Sequence, residues 1–400
     1  MSDVGVVMPV YKQKPSYLRE ALQSILAQRY RHFTLVIVVD GAPFDVLPII
    51  RETVQDDPRV RVVILPENQG VAKALNRGFQ ELFSLPGIEY LTWISSDNIY
   101  SPDFLLTLRT YLRAAPPEVG VVYSCFQEID EAGKPLRDEA FLDARRKYQQ
   151  RRKEELLDFH FIGVSFMYKA AYARLIGGYG QEPVEDYDYF LRLTEHCEVR
   201  YIPSVLMEYR VNSPLSISAQ MKRSKEQHRR WRYMFQLVKQ QARMRRGIPP
   251  EMTVLFPVTD GTARTVESYE NLLEQYYSNY QVIVLDQTPQ KQATRVLQSI
   301  SDPRVGFFHV PGGARTAMHA MLKQIRTPFV LFFANGPPMG YYTLHSMAQT
   351  LRAAENQRIL AAFLPANGSG VQLRDHPAPF EPVFFHLYRT SRLLEAWQNP

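Results

Sequence analysis

The first 127 residues alternate short apolar runs with segments whose apolar residues recur at helical spacing. This alternation is typical of a parallel sheet covered by helices. The predicted strands are residues 4–10, 33–39, 60–65, 90–94 and 119–126, and the predicted helices between them are 15–29, 43–55, 71–83 and 102–114. Ligands of open α/β sheets gather at the carboxyl ends of the strands. The sequence therefore predicts an α/β fold with a cleft at that edge.

Four short segments that contain polar residues stand where such a cleft would form. Two of these segments lie at the ends of the first two strands, the third follows the strand at 90–94, and the fourth begins a later helical segment. They are Met8-Pro9-Val10-Tyr11, Asp40-Gly41, Ser95-Ser96-Asp97-Asn98 and Glu185-Asp186-Tyr187-Asp188. Because the strand ends converge, we expect these groups to line one site.

The second half of the chain repeats the outline of the first. Residues 254–258 resemble 6–10, residues 282–286 resemble 36–40, and residues 329–333 resemble 90–94. After the last of these strands the second copy has Ala334-Asn335-Gly336 and no carboxylate. We interpret the repeat as a degenerate copy of the same fold. With 400 residues in all, we expect a domain over 1–218, a linker over 219–250 and a smaller α/β domain over 251–400.

The positive charge of the chain is concentrated in residues 219–250. This segment contains ten Lys or Arg residues and one acid, whereas the net charge of the whole chain is +6. Aromatic and aliphatic residues are interleaved with the basic ones, which predicts a basic amphipathic helix. Two interpretations stay open: peripheral contact with an anionic membrane, or an interdomain helix with a solvated basic face. We expect no nucleic-acid partner, since no known binding module accompanies the charge.

The cysteine content and the distribution of apolar residues argue against a disulfide-rich secreted protein and against a membrane-spanning one. The two cysteines, Cys125 and Cys197, argue against a disulfide framework and against a cysteine-based metal site. No apolar run approaches the roughly 20 residues of a membrane span. The first residues lack the pattern of a signal peptide. We therefore expect a cytoplasmic protein, at most peripheral at the inner face of the membrane.

The motifs, taken in order, resemble those of the inverting glycosyltransferases of family 2, which have the GT-A fold. The matching segments are Met8-Pro9-Val10-Tyr11, 24–30, Asp40, 68–76, the Asp97 turn, 177–179, 185–193 and 209–212. The resemblance covers about residues 4–218, and residues 253–340 resemble the nucleotide-binding half of that fold. It implies a mixed, mostly parallel sheet with helices on both faces, followed by a second, smaller α/β domain.

The resemblance also implies an activity and a set of site residues. The activity is transfer of a sugar from a nucleotide-sugar, UDP-linked in our interpretation, to a surface polysaccharide, a lipid-linked saccharide or a protein. Asp186 would be the base that takes the proton of the acceptor hydroxyl. Asp97 and Asn212 would hold a divalent cation, Mn²⁺ or Mg²⁺. The residues expected to contact the nucleotide-sugar are Pro9, Val10, Tyr11, Asp40, Lys73, Ser95, Ser96 and Asp97.

Departures from the family pattern leave alternatives open. Ser95 replaces the first acid of the family's Asp-x-Asp turn, and Asn212 stands where a histidine is frequent, so a metal requirement is in doubt. Asp40 also suits a turn cap, Lys73 an exposed helical position, and Asp186 a favourable helix N-terminal charge. A second function is therefore a weakly active or inactive GT-A scaffold that binds a nucleotide or glycan. A nucleotidyltransferase is disfavoured because no basic glycine-rich loop follows the first strand, and homo-oligomerisation stays open.

Overall fold

The computed structural model describes residues 2–211, 224–311, 318, 321–356, 358, 360–365, 370–375 and 383–398. The chain divides into two compact units, Met1–Met234 and Phe235–Pro400. The division falls inside a helix, Lys225–Arg245. The domain boundaries expected from the sequence stay a prediction.

The first unit is built around a single sheet. Its strands are β1 (Val4–Val10), β2 (Phe33–Asp40), β3 (Val60–Leu65), β4 (Tyr90–Trp93), β5 (Ile99–Tyr100), β6 (Val119–Ile129), β7 (Phe166–Lys169) and β8 (Glu198–Arg210). Its helices are α1 (Pro15–Leu26), α2 (Leu47–Val54), α3 (Val71–Phe83), α4 (Phe104–Ala114), α5 (Glu139–Gln149), α6 (Ala170–Ile176) and α7 (Glu185–Leu193), and α8 (Lys225–Arg245) follows them.

The strand order in this sheet is β3-β2-β1-β4-β7-β6-β8-β5. The pairs β3/β2, β2/β1, β1/β4 and β6/β8 are parallel, whereas β7 runs antiparallel to both β4 and β6, and β5 antiparallel to β8. Every residue of β2 is buried, as expected for a central strand covered on both faces. The sheet is thus mixed and mostly parallel, and the predicted GT-A-type α/β fold is confirmed.

Helices cover both faces of this sheet. Leu22 of α1 and Ile50 of α2 pack in one core with Ile37 of β2. On the opposite face α3 lies so close to β1 that a Cβ atom at Gly78 would be 2.4 Å from Cγ1 of Val7. The helical periodicity of 71–83 therefore predicted the correct element, and glycine permits its close approach.

Several elements differ from those expected from the sequence. Strand β8, with 13 residues, and the two-residue β5 were not predicted. Exposed and polar positions alternate irregularly along β8, and its pairing with β6 contains register shifts, so no clean period-2 pattern exists to recognise. Strand β7 begins at Phe166, after the last of the five strands predicted for the first 127 residues. The charged residues of 145–155 are divided between the end of α5 and a short 3-10 turn, Lys153–Leu157.

The second unit has its own sheet. The strands are β9 (Met252–Val258), β10 (Tyr280–Asp286), β11 (Val305–His309), β12 (Phe329–Phe332), β13 (Ala361–Phe363), β14 (Gln372–Arg374) and β15 (His386–Arg389). The helices are α9 (Ala263–Leu273), α10 (Gln292–Leu297), α11 (Thr343–Ala353) and α12 (Thr390–Gln398). The strand order is β11-β10-β9-β12-β15-β13-β14, and its first six strands repeat the order β3-β2-β1-β4-β7-β6. The repetition thus extends beyond the nucleotide-binding half.

The strand register corrects one detail of the repeat. Val10 pairs with Val39 in the first unit, and Val258 pairs with Asp286 in the second. Since Val10 and Val258 occupy the same position, Asp286 corresponds to Val39 and not to Asp40. The sequence comparison, which matched 282–286 with 36–40, was therefore wrong by one residue, and a shift of one residue sends a strand side chain to the opposite face.

The surroundings of Asp286 agree with this reversed orientation. Its buried carboxylate accepts hydrogen bonds from the amides and hydroxyls of Thr288 and Thr294, at 2.6–2.8 Å. These bonds hold the pKa of Asp286 below its usual range against the opposing effect of burial. Asp286 therefore organises the loop before α10, and Gln287 stands where the first unit has Asp40.

Three basic side chains of α8 are buried: Arg232, Lys239 and Arg243. Arg243 donates from Nη1 to Oγ of Ser278 at 2.8 Å. These cations therefore contribute to internal packing, while residues 219–223 of the predicted basic segment lie outside the described residues. Among the helices that the structure describes, none combines the length and apolar character needed to cross a bilayer.

Candidate functional site

Asp40 ends β2 and organises the loop that precedes α3. Its carboxylate accepts hydrogen bonds from the amides of Gln69 (2.8 Å) and Gly70 (3.1 Å) and from Nδ2 of Asn68 (2.9 Å). Burial raises the pKa of Asp40, and the two amides and the charge of Lys73 oppose that rise. Asp40 thus has the loop-anchoring role that the sequence left open, and its contact with a nucleobase stays a prediction.

The beginning of α3 is capped by a residue far along the chain. The amide of Ala72 donates to Oε1 of Glu182 at 2.8 Å, and Gly70, at the N-cap, has no side chain that could do so. A Cβ atom at Gly70 would lie 2.6 Å from the same Oε1 atom, and its φ is +92°. Glycine is therefore required here, and Glu182 fastens the segment before α7 to the Asp40 loop.

The Asp97 turn follows β4, beside β1. Ser95 donates from Oγ to Oδ1 of Asp97 at 2.5 Å, and the amide of Ser95 donates to the hydroxyl of Tyr100 at 2.8 Å. Gln13, in the loop after β1, donates to Oγ of Ser96 at 3.4 Å. Burial raises the pKa of Asp97, and the hydrogen bond from Ser95 opposes the rise. Ser95 thus supports the Asp97 carboxylate without adding a charge.

Arg210, at the end of β8, holds the Asp97 turn by a hydrogen bond to its main chain. Its guanidinium donates to the carbonyl oxygens of Asp97 (3.1 Å), Asp130 (2.9 Å) and Glu131 (2.9 Å), and to the carboxylate of Glu20 (2.7 Å). The side chain is 1% exposed, whereas that of Glu20 is 47% exposed, so the buried guanidinium depends on these acceptors and not on water for its hydrogen bonds. In the sequence, Arg210 was recognised only as part of the motif at 209–212. Its role in holding the Asp97 turn is visible only from its contacts with residues that are distant in the sequence.

Asp186 lies in the first turn of α7, with its side chain 27% exposed. Nε2 of His160 is 3.9 Å from Oδ2 of Asp186. The imidazole ring lies against the ring of Tyr187 at a centroid distance of 4.7 Å. His160 was not among the expected site residues, because it is 26 positions away and belongs to no recognisable motif. Asp188, by contrast, is buried and pairs with Arg192 at 2.9 Å.

Glu185 precedes Asp186 in the first turn of α7. Burial, with the charges of Asp186 and Glu182, raises the pKa of Glu185 to about 8. Within the described residues, its buried Oε2 atom has no hydrogen-bond partner. The carboxyl group is therefore protonated at neutral pH, beside the acid expected to act as base.

This shift predicts a pH dependence of stability. The folded unit retains the proton of Glu185 up to about pH 8, whereas the ordinary value is 4.5. The stabilisation is therefore complete below about pH 4.5 and is lost as the pH rises through about 8. We expect the melting temperature of the wild type to fall, relative to Glu185→Gln, between about pH 5 and pH 9. Scanning calorimetry of both proteins, with Glu154→Gln as the exposed control, measures it; a constant difference would contradict the prediction.

The other expected nucleotide contacts lie at the same edge of the sheet or beside it. Tyr11 follows β1 and is 37% exposed. Pro9 and Val10 belong to β1 itself, and Val10 is fully buried in the core. Lys73 is exposed in the first turn of α3. Strand β1 lies between β2 and β4. Asp40 ends β2, Tyr11 follows β1, and Ser95 lies just after β4, so the three residues are at the ends of adjacent strands.

Of the two residues expected to hold a metal ion, Asp97 and Asn212, the structure describes only Asp97. Asn212 lies outside the described residues. Across the described part of the chain, no three His, Cys, Asp or Glu side chains form a group that could hold a metal ion. Asp97 is the member of the expected pair that the structure describes, and a bound substrate could supply further oxygen ligands to a cation there. Mg²⁺ is commonly held in this way, by one or two carboxylates and substrate phosphates.

Known proteins resemble this chain over part or most of its length. The model of Glycosyl transferase family 2 matches residues 5–176. An uncharacterised glycosyltransferase of Rickettsia conorii is 21% identical over 347 residues, which are 76% of this chain and 56% of that protein. This chain therefore spans little more than half the length of that relative.

Solved structures with a similar fold include two glycosyltransferases. The mannosyltransferase PcManGT of Pyrobaculum calidifontis, in complex with GDP-Man and Mn²⁺, is 21% identical, with a TM-score of 0.43; the match covers 61% of this chain and 64% of that one. S. aureus TarS, in complex with UDP-GlcNAc, is 14% identical, with a TM-score of 0.45, covering 60% and 66%. Residues 5–176 thus match the model of Glycosyl transferase family 2, the family that the sequence motifs resemble.

Proposed function

We propose that the first unit is an inverting glycosyltransferase that moves a sugar from a UDP-linked donor to a hydroxyl group of a surface polysaccharide, a lipid-linked saccharide or a protein. The observation that supports this proposal most is the clamped Asp97 turn at the end of β4, beside the end of β1. A fixed carboxylate at that edge suits a site that binds a nucleotide diphosphate with a cation.

In this proposal, hydrogen bonds within the protein fix the Asp97 turn of the donor site in place. Ser95, Ser96 and Asp97 are held by Gln13, Tyr100 and Arg210 before any ligand arrives. A divalent cation, if it binds, would neutralise charge on the diphosphate leaving group, with Asp97 as its protein ligand. Burial raises the pKa of Asp97, and a bound cation would oppose that effect by favouring the ionised carboxylate.

The acceptor side of the proposal rests on α7. Asp186 would accept the proton of the acceptor hydroxyl as that oxygen attacks the anomeric carbon. His160 faces the same carboxylate, and we propose that it orients Asp186. The bond from Ala72 to Glu182 connects the segment before α7 to the Asp40 loop, so the acceptor side is fastened to the donor side.

The location of the enzyme belongs to the same proposal. We propose a cytoplasmic protein that touches the anionic inner face of the membrane through the segment 219–250. Three basic side chains of α8 are buried and would not reach the membrane surface. The attraction to anionic lipids would come from exposed basic residues of the same helix, such as Lys225, Arg230 and Arg245.

Calorimetric titration tests the donor site directly. UDP, GDP and dTDP are titrated into the protein, each with and without Mn²⁺ or Mg²⁺. We expect UDP to bind with an affinity that the cation increases, and Asp97→Asn to weaken that binding by at least tenfold. Asp56→Asn, which alters an exposed acid of the same unit, is the control. Failure of all three nucleotides to bind would overturn the proposal in favour of a scaffold that has lost this activity.

A further inference from the structure

The two copies of the fold share an anchor between the end of their first helix and the start of a later one. In the first unit Gln28 donates from Nε2 to the carbonyl of Ser101 (2.7 Å) and accepts from the amide of Leu105 (2.9 Å). The amide of Arg29 donates to the carbonyl of Pro102 at 2.9 Å. These bonds fasten α4 to the end of α1.

The second unit repeats the anchor bond for bond. Gln275 donates from Nε2 to the carbonyl of Gly340 (3.0 Å) and accepts from the amide of Leu344 (3.1 Å). The amide of Tyr276 donates to the carbonyl of Tyr341 at 2.9 Å. The backbone around Tyr276 and Tyr341 is therefore fixed by the same device as in the first unit.

The side chains on the outside of this anchor differ between the copies. The first unit has an ion pair there, in which Nη1 of Arg29 and Oδ2 of Asp103 are 2.8 Å apart. The second unit has three aromatic rings: the ring of Tyr276 lies 4.7 Å from that of Tyr342 and 5.9 Å from that of Tyr341, between centroids. The tyrosines remain 41%, 44% and 58% exposed, respectively.

Stability does not explain these three tyrosines. The backbone anchor is complete in the first unit without any aromatic ring at Arg29, Pro102 or Asp103. Clustered, exposed aromatic side chains are a common mark of a binding surface, because their rings give a large, rigid contact area with few rotatable bonds. A second pair of bonds, between Asn271 and the main chain of Met339 (2.8 and 3.0 Å), further stiffens the loop.

We propose that Tyr276, Tyr341 and Tyr342 form a saccharide-binding platform on the second unit. Ring faces can pack against the C–H faces of a pyranose, while each phenol hydroxyl donates and accepts a hydrogen bond with sugar hydroxyls. Burial and the neighbouring tyrosines raise the pKa of Tyr276, so this phenol carries no charge at neutral pH. A neutral polyhydroxylated ligand suits such a surface better than an anionic one.

The choice of a saccharide, but not the platform itself, rests on the proposed glycosyltransfer. An acceptor glycan that binds the second unit is tethered to the first, which raises its effective concentration at the active site without adding a contact there. The second copy, which lacks the acid of the Asp97 turn, would then have kept the fold for glycan binding.

Affinity electrophoresis in native gels tests the platform without donor or catalysis. The full chain is run in gels containing dextran, hydroxyethyl cellulose, xylan or galactomannan, and we expect at least one polymer to retard it. The double variant Tyr341→Ala/Tyr342→Ala should bind that polymer at least tenfold more weakly. Tyr111→Ala, which removes a tyrosine of equal exposure (44%) from the first unit, should leave the retardation unchanged.

Three results would overturn the platform. These are a lack of retardation by all four polymers, equal retardation of the double variant, and a loss of a dimer in the double variant by light scattering, which would show a protein interface instead. Circular dichroism confirms that the double variant is folded. Nucleotide titration of the same variant separates this outcome from a failure of the proposed transfer, because the donor site lies in the other unit.

Discussion

Asp186→Asn is expected to lower the turnover number for sugar transfer by about 10²- to 10⁴-fold, the usual contribution of a general base. The amide has nearly the shape of the carboxylate but cannot accept the proton of the acceptor hydroxyl. The dissociation constant for UDP should remain within about twofold, since Asp186 lies on α7 and the expected nucleotide contacts lie at strand ends and on α3. Initial rates at saturating donor, together with calorimetry, measure both quantities.

The neighbourhood of Asp186 supplies a second variant and a control. His160→Gln should lower the turnover number less than Asp186→Asn does, with little change in KM for the donor, if His160 orients the carboxylate 3.9 Å away. His196→Gln alters an exposed histidine just beyond α7 and should have no effect. Unchanged turnover in Asp186→Asn would exclude Asp186 as the base, and loss of UDP binding in a folded variant would reassign it to the donor site.

Arg210→Met is expected to destabilise the first unit by about 1–3 kcal/mol, the usual cost of leaving hydrogen-bond acceptors without their donor. The methionine fills part of the volume but donates no hydrogen bond. The carbonyls of Asp97, Asp130 and Glu131 would then lose a charged donor. Scanning calorimetry should show a lower melting temperature for the first unit.

A matched substitution separates the clamp from ordinary surface charge. Arg29→Met removes an arginine whose side chain is 69% exposed and which pairs with Asp103, and we expect a change of at most about 1 kcal/mol. Similar small shifts in both variants would show that water or a neighbouring side chain replaces the donors of Arg210. A folded Arg210→Met protein should also bind UDP more weakly, because the Asp97 turn loses its support.

Local sequence patterns predicted the framework of the first unit well. The runs at 4–10 and 60–65 and the helical spacing of 71–83 match β1, β3 and α3 residue for residue. These elements are recognisable because burial of one or both faces imposes a regular period on the chain. The polar residues that end β1, β2 and β4 could be assigned to one edge for the same reason, since parallel strands share a direction.

The order of the strands, the register and the networks were decided only by the tertiary structure. No local pattern showed that β7 enters between β4 and β6, that Asp286 lies one position out of register with Asp40, or that His160 faces Asp186. The partners of Arg210 lie at sequence separations of 79 to 190 residues. The sequence by itself thus determined which segments form strands and helices, because burial imposes a period on neighbouring residues. Long-range packing alone decided which distant side chains share a site, because hydrogen-bond geometry depends on positions in space.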